Sequence, residues 1–196
     1  MSARRIGIFG GSFDPVHVAH VALARVALDT LALDVLRFVP TGDAWQKPRT
    51  LTPAAHRTEM LQRAVEGEPR FEIDDRELRR VGPSYTIDTV LELQAAEPAD
   101  WFIVIGQDQY AQLATWHRWR DLLPLVTWAV AGRAGEAPAA SPEVAALAHR
   151  VRLLPMPAMA VSSTGIRARR ARNESIDGLV PPSVAAYIEA NHLYRS

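Results

Sequence analysis

The chain is predicted to adopt an α/β fold with a doubly wound parallel sheet, similar to a Rossmann fold. Short apolar segments rich in β-branched residues alternate with segments whose apolar residues recur at helical spacing. One apolar segment, residues 101–106, is almost uninterrupted, as is typical of a strand buried on both faces of a parallel sheet. The length of 196 residues suits a single domain over residues 1–196.

The composition excludes several classes of function. Lys+Arg 22 and Asp+Glu 22 give a formal net charge of zero, which argues against a nucleic-acid polymer as partner but allows a local basic pocket. The absence of cysteine excludes disulfides, thiolate catalysis and cysteine zinc sites. No apolar run has the length of a membrane span, and no signal-peptide core precedes the first strand. We expect a soluble, cytoplasmic protein without a membrane partner, and the sequence leaves homo-oligomerisation open.

The most informative stretch is IGIFGGSFDPVHVAH, residues 6–20. It predicts a strand, a tight loop and a helix that begins near His17. Gly10 and Gly11 allow a bulky anion to approach the backbone without meeting a Cβ atom. The start of the helix adds unpaired N–H groups and the positive end of the helix dipole. His17 and His20, at i and i+3, can hydrogen-bond phosphate oxygens, so the loop is predicted to bind a polyphosphate.

Simpler interpretations of the same residues exist. Two glycines after a strand are often only a turn, and the histidines could decorate a helix. They could also ligate zinc with Asp14, although no cysteine or second histidine cluster supplies further ligands.

As a whole, the stretch resembles the GG[ST]FDPxHxGH signature of nucleotidyltransferases that transfer AMP from ATP. Within that group it is most similar to the bacterial nicotinate-nucleotide adenylyltransferases, with Ala19 where the signature has glycine. The resemblance implies catalytic roles for His17 and His20. It implies contacts with the ATP phosphates for Gly10, Gly11, Ser12 and Phe13.

The next segments continue the alternation. A helix is predicted after the loop, then a strand over 35–39 and a helix that begins at Pro53. Lys47 can serve as a point charge for phosphate, or it is a solvated loop residue. Related enzymes often place a lysine here after Pro-Pro-His, whereas this chain has Ala44-Trp45-Gln46.

A strand over 71–74 precedes a turn and a helix that includes Val90. Ser84 or Thr86 is expected to be the N-cap of that helix. The segment also matches the GPSYTIDT block of the same family. The resemblance implies that Tyr85 and Thr86 receive the carboxylate of nicotinate at the helix N-terminus. The two interpretations are compatible.

The strand over 101–106 ends in Gly-Gln-Asp. Ligands of open α/β sheets lie beyond the carboxyl ends of strands, so Asp108 is expected to meet a sugar or a metal. The resemblance assigns Gly106 and Asp108 to the mononucleotide, with ribose as the first choice. Trp116 and Trp119 are typical of core packing, while the resemblance implies that Trp116 covers the pyridine ring.

Three further elements follow. A strand over 125–130 leads to Arg133, which we expect to contact a phosphate because it follows the end of a strand. A helix over 143–149 and a strand over 151–154 come next. The last helix, through Ala185, Ala186, Ile188 and His192, is expected to cover the edge of the sheet.

The last motif is a hydroxyl triplet, Ser162, Ser163 and Thr164, before a helical segment. Such a triplet is a common capping sequence. The block also resembles the ISSTxIR motif of the same family. The resemblance implies that the hydroxyls and the helix N-terminus hold the β and γ phosphates, and that Arg167 supplies a catalytic, charge-assisted bond.

The resemblance spans nearly the whole chain and implies AMP transfer from ATP to nicotinate mononucleotide, with pyrophosphate released. It implies a Mg²⁺ cofactor held mainly by phosphates and water, without an assigned protein ligand. The alternatives are an adenylyltransferase for nicotinamide mononucleotide or phosphopantetheine, or a non-catalytic nucleotide sensor.

Overall fold

A parallel sheet forms the centre of the molecule. The computed structural model describes residues 3–42, 51–133 and 135–195. Within these ranges six parallel strands form one sheet in the order β3-β2-β1-β4-β5-β6. The strands are β1 (Arg5–Gly11), β2 (Val35–Pro40), β3 (Phe71–Ile73), β4 (Asp100–Gly106), β5 (Thr127–Gly132) and β6 (Arg150–Pro155).

Helices cover both faces of the sheet. None of those in the described part of the chain is long and apolar enough to cross a membrane. The helices are α1 (Val18–Thr30), α2 (Ala54–Val65), α3 (Arg76–Arg79), α4 (Thr86–Ala96), α5 (Gln107–Ala111), α6 (Trp119–Leu122), α7 (Pro142–Ala145), α8 (Ser163–Ala171) and α9 (Pro182–Ala190), with a 3₁₀ turn at Leu113–Thr115.

Strand residues alternate between two cores. Phe9 and Phe102 pack with α1, α2, α8 and α9 on one face, whereas Ile8 and Ile103 pack with α4 to α7 on the other. Because successive side chains of a strand point to opposite faces, the apolar runs of β1 and β4 serve both cores.

The order of the strands creates a switch point between β1 and β4. The chain proceeds outward from β1 to β2 and β3, and then returns to β4 on the other side of β1. Ile8 pairs with Ile103, and each strand continues for three more residues, to Gly11 and Gly106. Both strands therefore end at the same edge, where ligands of open α/β sheets bind.

Among the element boundaries that differ from the predictions are those of β5 and α7. β5 begins at Thr127, because the N–H of Leu125 donates to the carbonyl of Leu122 in a turn. α7 ends at Ala145 and does not extend to residue 149. There the backbone leaves the helix, and the His149 ring contacts the Leu147 carbonyl at 2.7 Å.

The expectation that the last helix covers a sheet edge is wrong. Val184 and Ile188 of α9 are fully buried in the same core as α1 and α2. Ser183 also donates a hydrogen bond to the Arg63 carbonyl at the end of α2. The helix therefore packs on a face of the sheet, beside α2.

Candidate active site

The loop after β1 exposes its backbone at one glycine and packs tightly at the next. Among the described residues beyond its chain neighbours, a Cβ atom at Gly10 would meet nothing within 4 Å, whereas one at Gly11 would lie 3.0 Å from the Phe13 ring. Phe13 is 1% exposed and packs edge-on against Phe9 and Phe38. Its side chain is thus part of the core, so Phe13 can contact a phosphate only through its backbone.

The two histidines stack at the start of α1. Their ring centroids are 3.6 Å apart, and His20 Nδ1 accepts from the His17 backbone N–H at 3.1 Å. Since Nδ1 of His20 accepts, its proton belongs on Nε2, which can donate to a ligand. His17 is 7% exposed and its Nδ1 has no hydrogen-bond partner among the described residues. Burial lowers the pKa of His17 to about 4, so this ring is neutral at pH 7.

The N-terminal turn of α8 is fastened to the loop. Arg167 Nη1 donates to the Asp14 carbonyl at 2.7 Å, and Ser163 Oγ donates to the Pro15 carbonyl at 2.9 Å. These contacts join segments 153 residues apart in the sequence. They bring Arg167 to the loop that leads to the histidine pair.

The three hydroxyl groups of Ser162, Ser163 and Thr164 make different hydrogen bonds. Ser162 caps α8 as predicted, because its Oγ accepts from the N–H of Gly165 at 3.1 Å. Thr164 Oγ1 accepts from Arg167 Nη2 at 3.1 Å. Ser162 and Thr164 accept in these bonds and can still donate to a phosphate. Ser163 already donates to the loop, so in this structure it supports the loop and does not offer its proton to phosphate.

A group of hydrogen-bonded residues supports the loop after β1. We name this group the Asp14 brace; it consists of Asp14, Thr52, Arg57 and Tyr194. The Asp14 carboxylate is fully buried and accepts from the Tyr194 hydroxyl at 2.7 Å and the Thr52 N–H at 3.2 Å. Arg57, 3% exposed, donates to the carbonyls of Thr52 and Ser12, both at 2.9 Å. Sequence reasoning missed this role of Tyr194, which lies 180 residues from Asp14.

The start of α4 has no side-chain cap. Tyr85 is the N-cap residue and makes no side-chain capping bond in the described structure, so the expected cap by Ser84 or Thr86 is wrong. Ser84 Oγ is buried and has no hydrogen-bond partner within the described ranges. The Tyr85 ring stacks on His117 with centroids 4.0 Å apart. The N-cap side chain therefore takes none of the first N–H groups of α4 in the described structure, and such groups can serve an anion.

Ile105 near the end of β4 and Ile87 in the first turn of α4 are buried in the same core. A Cβ atom at Gly106 would meet nothing within 4 Å in the described part of the chain beyond its chain neighbours, and Asp108 is exposed in the first turn of α5. Trp119 is 6% exposed and belongs to the core. Trp116 is half-buried, so part of its ring is open to a ligand. It packs edge-on against Trp128, with the ring centroids 6.0 Å apart.

Of two further predicted phosphate contacts, one stays apart from this group and the other lies outside the described residues. Arg133 follows β5, which β4 separates from β1, and its side chain is 74% exposed, 3.8 Å from Glu136. The structure does not bring it to the loop. Lys47 lies outside the described residues, together with the Ala44-Trp45-Gln46 departure.

A groove of about 370 Å³ opens beside the start of α8. Its lining is mostly apolar, with a few polar groups, as is common for sites that bind small molecules. The groove is lined by Met159, Ala160, Val161, Ser162, Gly165, Ile166, Arg169 and Leu179.

Comparison with known proteins agrees with this geometry. The cytidylyltransferase-like family matches residues 8–169. A probable nicotinate-nucleotide adenylyltransferase of Methylibium petroleiphilum is 55% identical over 196 residues, covering 97% of this chain and 92% of the relative. The chain belongs to the nicotinate-nucleotide adenylyltransferase family. A second member, the probable nicotinate-nucleotide adenylyltransferase of Albidiferax ferrireducens, is 49% identical over 196 residues and covers 98% of this chain and 99% of its own.

The fold of this family member also matches a solved structure. It is similar to the Plasmodium falciparum nicotinic acid mononucleotide adenylyltransferase complexed with NaAD, with a TM-score of 0.80 and 97% of both chains covered. Only 19% of the residues are identical, so this likeness supports the Rossmann-like sheet order and not individual side chains.

Proposed function

We propose that this chain transfers AMP from ATP to nicotinate mononucleotide, forming deamido-NAD and releasing pyrophosphate. One observation carries the proposal: the histidine pair at the start of α1 and Arg167 of α8, which can donate to a polyphosphate, are joined at the loop after β1, beside the switch point between β1 and β4. The names of the 55% and 49% identical relatives support the same reaction. We also propose that the enzyme acts in the cytoplasm.

The reaction needs no side-chain nucleophile. A phosphate oxygen of the mononucleotide attacks the α-phosphorus of ATP, and the bond from that phosphorus to the β-phosphate oxygen breaks. Pyrophosphate leaves with the electron pair. The chain's part is to hold the two substrates in line and to stabilise the charge that develops on the phosphates.

Several residues can bind the substrates and stabilise the charge that develops on the phosphates. His20 offers Nε2–H and His17 is a neutral ring, so the pair donates hydrogen bonds without adding charge. Arg167 supplies a fixed positive charge from α8. The groove beside α8 offers an apolar wall that suits the base of ATP.

Mg²⁺ is proposed to enter with ATP. Among the described residues no three histidine, aspartate or glutamate side chains are grouped to hold a metal ion, so phosphates and water would supply most ligands. Asp108, exposed at the end of β4, suits a direct or water-mediated contact. Bound Mg²⁺ would neutralise negative charge on the phosphates.

The start of α4 supports selectivity for nicotinate over nicotinamide. A carboxylate can accept from backbone N–H groups at the start of α4, where Tyr85 makes no side-chain capping bond in the described structure, and from the hydroxyls of Ser84 and Thr86. The neutral amide would turn an NH₂ donor toward these donors and leave polar groups unpaired. Such sites discriminate strongly, so we expect a preference of at least about 10²-fold in kcat/KM.

The test is pyrophosphate release with saturating ATP and Mg²⁺, compared for nicotinate mononucleotide, nicotinamide mononucleotide and phosphopantetheine. The proposal requires the highest kcat/KM with nicotinate mononucleotide. Values for the two pyridine substrates within about threefold would reject nicotinate selectivity. If pyrophosphate is released with phosphopantetheine but with neither mononucleotide, nicotinate mononucleotide is rejected as the acceptor. ATP binding without release for any acceptor would favour the sensor.

A further inference from the structure

We propose that Tyr194 is a positioning residue, which sets Arg167 in place for the reaction through Asp14. The inference rests on the proposed function and adds the C-terminal segment to its machinery. Tyr194 binds the side chain of Asp14, and Arg167 binds the carbonyl of the same residue. In the described structure, Asp14 thus joins the two side chains by hydrogen bonds.

The bonds around Asp14 leave it little freedom. One carboxylate oxygen accepts from Tyr194 at 2.7 Å and the other accepts from the Thr52 N–H at 3.2 Å. The residue is fully buried, so water cannot replace a lost partner without entering the core. A rotation of the Asp14 peptide would move the oxygen that Arg167 contacts at 2.7 Å.

Backbone strain in the loop shows why it needs this support. Phe13 has φ +46°, in the left-handed region that non-glycine residues rarely adopt. Such conformations persist where their surroundings hold them in place. Arg57 donates to the carbonyl of Ser12, the residue before Phe13. Tyr194 donates to the carboxylate of Asp14, the residue after Phe13.

Tyr194 is itself held in an unusual conformation. Its φ is +62°, which turns the end of the chain after α9 back toward the loop. Burial raises the pKa of Tyr194 above its ordinary value, and the bond to Asp14 and its charge raise it further. The hydroxyl therefore stays protonated and remains a donor to Asp14.

A pair of matched substitutions tests the role. Tyr194→Phe removes the hydroxyl that reaches Asp14, while Tyr187→Phe removes one that contacts His56 Nδ1 at 2.8 Å, away from the loop. Both keep the ring. With ATP, Mg²⁺ and nicotinate mononucleotide, we expect Tyr194→Phe to lower kcat about tenfold with little change in the mononucleotide KM. Tyr187→Phe should stay within about twofold of the unchanged protein.

A double-mutant cycle separates positioning from simple loss of stability. If Tyr194 acts through Arg167, then Tyr194→Phe should cost little further kcat in an Arg167→Ala background. Multiplied effects, or a Tyr194→Phe kcat within about twofold of the unchanged protein, would overturn the inference. All proteins are assayed well below their unfolding temperatures. Asp14→Asn, which weakens both carboxylate bonds, should lower kcat in the same direction and replaces Tyr194→Phe if that variant does not fold.

The proposed function can fail separately. In that case the unchanged protein releases no pyrophosphate with any mononucleotide. The cycle is then measured on the Kd for ATP by calorimetry, where non-additive losses support the positioning role and additive losses overturn it.

Discussion

His20 has two duties that substitution can separate. Its Nδ1 accepts from the His17 N–H and so caps α1, while its Nε2–H is the group assigned to phosphate. Asparagine carries a polar atom near the Nδ1 position but has nothing near Nε2. Glutamine reaches the Nε2 position but lacks the nearby acceptor. His20→Asn should therefore preserve the cap and lose the catalytic donor, and His20→Gln should do the reverse.

The two effects differ in size. Loss of a transition-state donor costs about 10²- to 10³-fold in kcat, which is about 2.7–4 kcal/mol. His20 is the third residue of α1, and loss of the hydrogen bond that it accepts from the N–H of the N-cap residue His17 costs about 1 kcal/mol of stability. This cost shifts the unfolding temperature of a protein of this size by roughly 2–4 °C. Both variants also lose the edge contacts of the ring with Phe9 and Phe13, so that loss cancels in their comparison.

The assay pairs pyrophosphate release with thermal unfolding for each variant. We expect His20→Asn to have the lower kcat and the higher unfolding temperature of the two. If His20→Asn keeps more than about a third of the unchanged kcat, the role of Nε2–H in the transition state is refuted.

Three further outcomes follow from the same site. The folded pKa of His17, about 4, lies below its unfolded value, so the unfolded chain binds more protons as pH falls from 6.5 toward 4 and stability falls with it. Urea unfolding should show that His17→Gln loses about 2 kcal/mol less than the unchanged protein between pH 7 and pH 5, and equal losses would contradict the buried neutral ring. Gly10→Ala adds a methyl that meets none of the described residues beyond its chain neighbours within 4 Å, so it should leave the unfolding temperature within about 2 °C but raise the KM for ATP several-fold, and an unchanged KM would show that no ligand approaches there. Trp116→Ala should raise the mononucleotide KM and leave the ATP KM nearly alone, with Trp116→Phe mild, whereas Trp119→Ala in the core should cost about 3–5 kcal/mol of stability. A collapsed unfolding temperature in Trp116→Ala would instead assign that ring to the core.

Local patterns predicted much of the fold. The strand before Gly10 and the helix that begins near His17 are encoded within a few residues of each other, and the structure confirms both. The apolar run over 101–106 likewise becomes a strand buried on both faces. Alternation of such segments was sufficient to predict the parallel sheet.

Contacts between distant segments could not be predicted in this way. The bond from Tyr194 to Asp14 depends on how α9 packs, and no local pattern signals it. Ser163 is one hydroxyl of a capping sequence, and only the fold turns it toward the Pro15 carbonyl. The N-cap of α4 falls on Tyr85, between two better capping residues, because the loop before it sets the backbone angles.

The fate of the phosphates tests the central claim most directly. Nicotinate mononucleotide and Mg²⁺ are mixed with the protein and with ATP labelled at either the α- or the γ-phosphorus, and the products are separated. The proposed transfer places the α label in deamido-NAD and the γ label in pyrophosphate. An α label in free AMP, or a γ label on the mononucleotide or in inorganic phosphate, would contradict attack on the α-phosphorus by the mononucleotide.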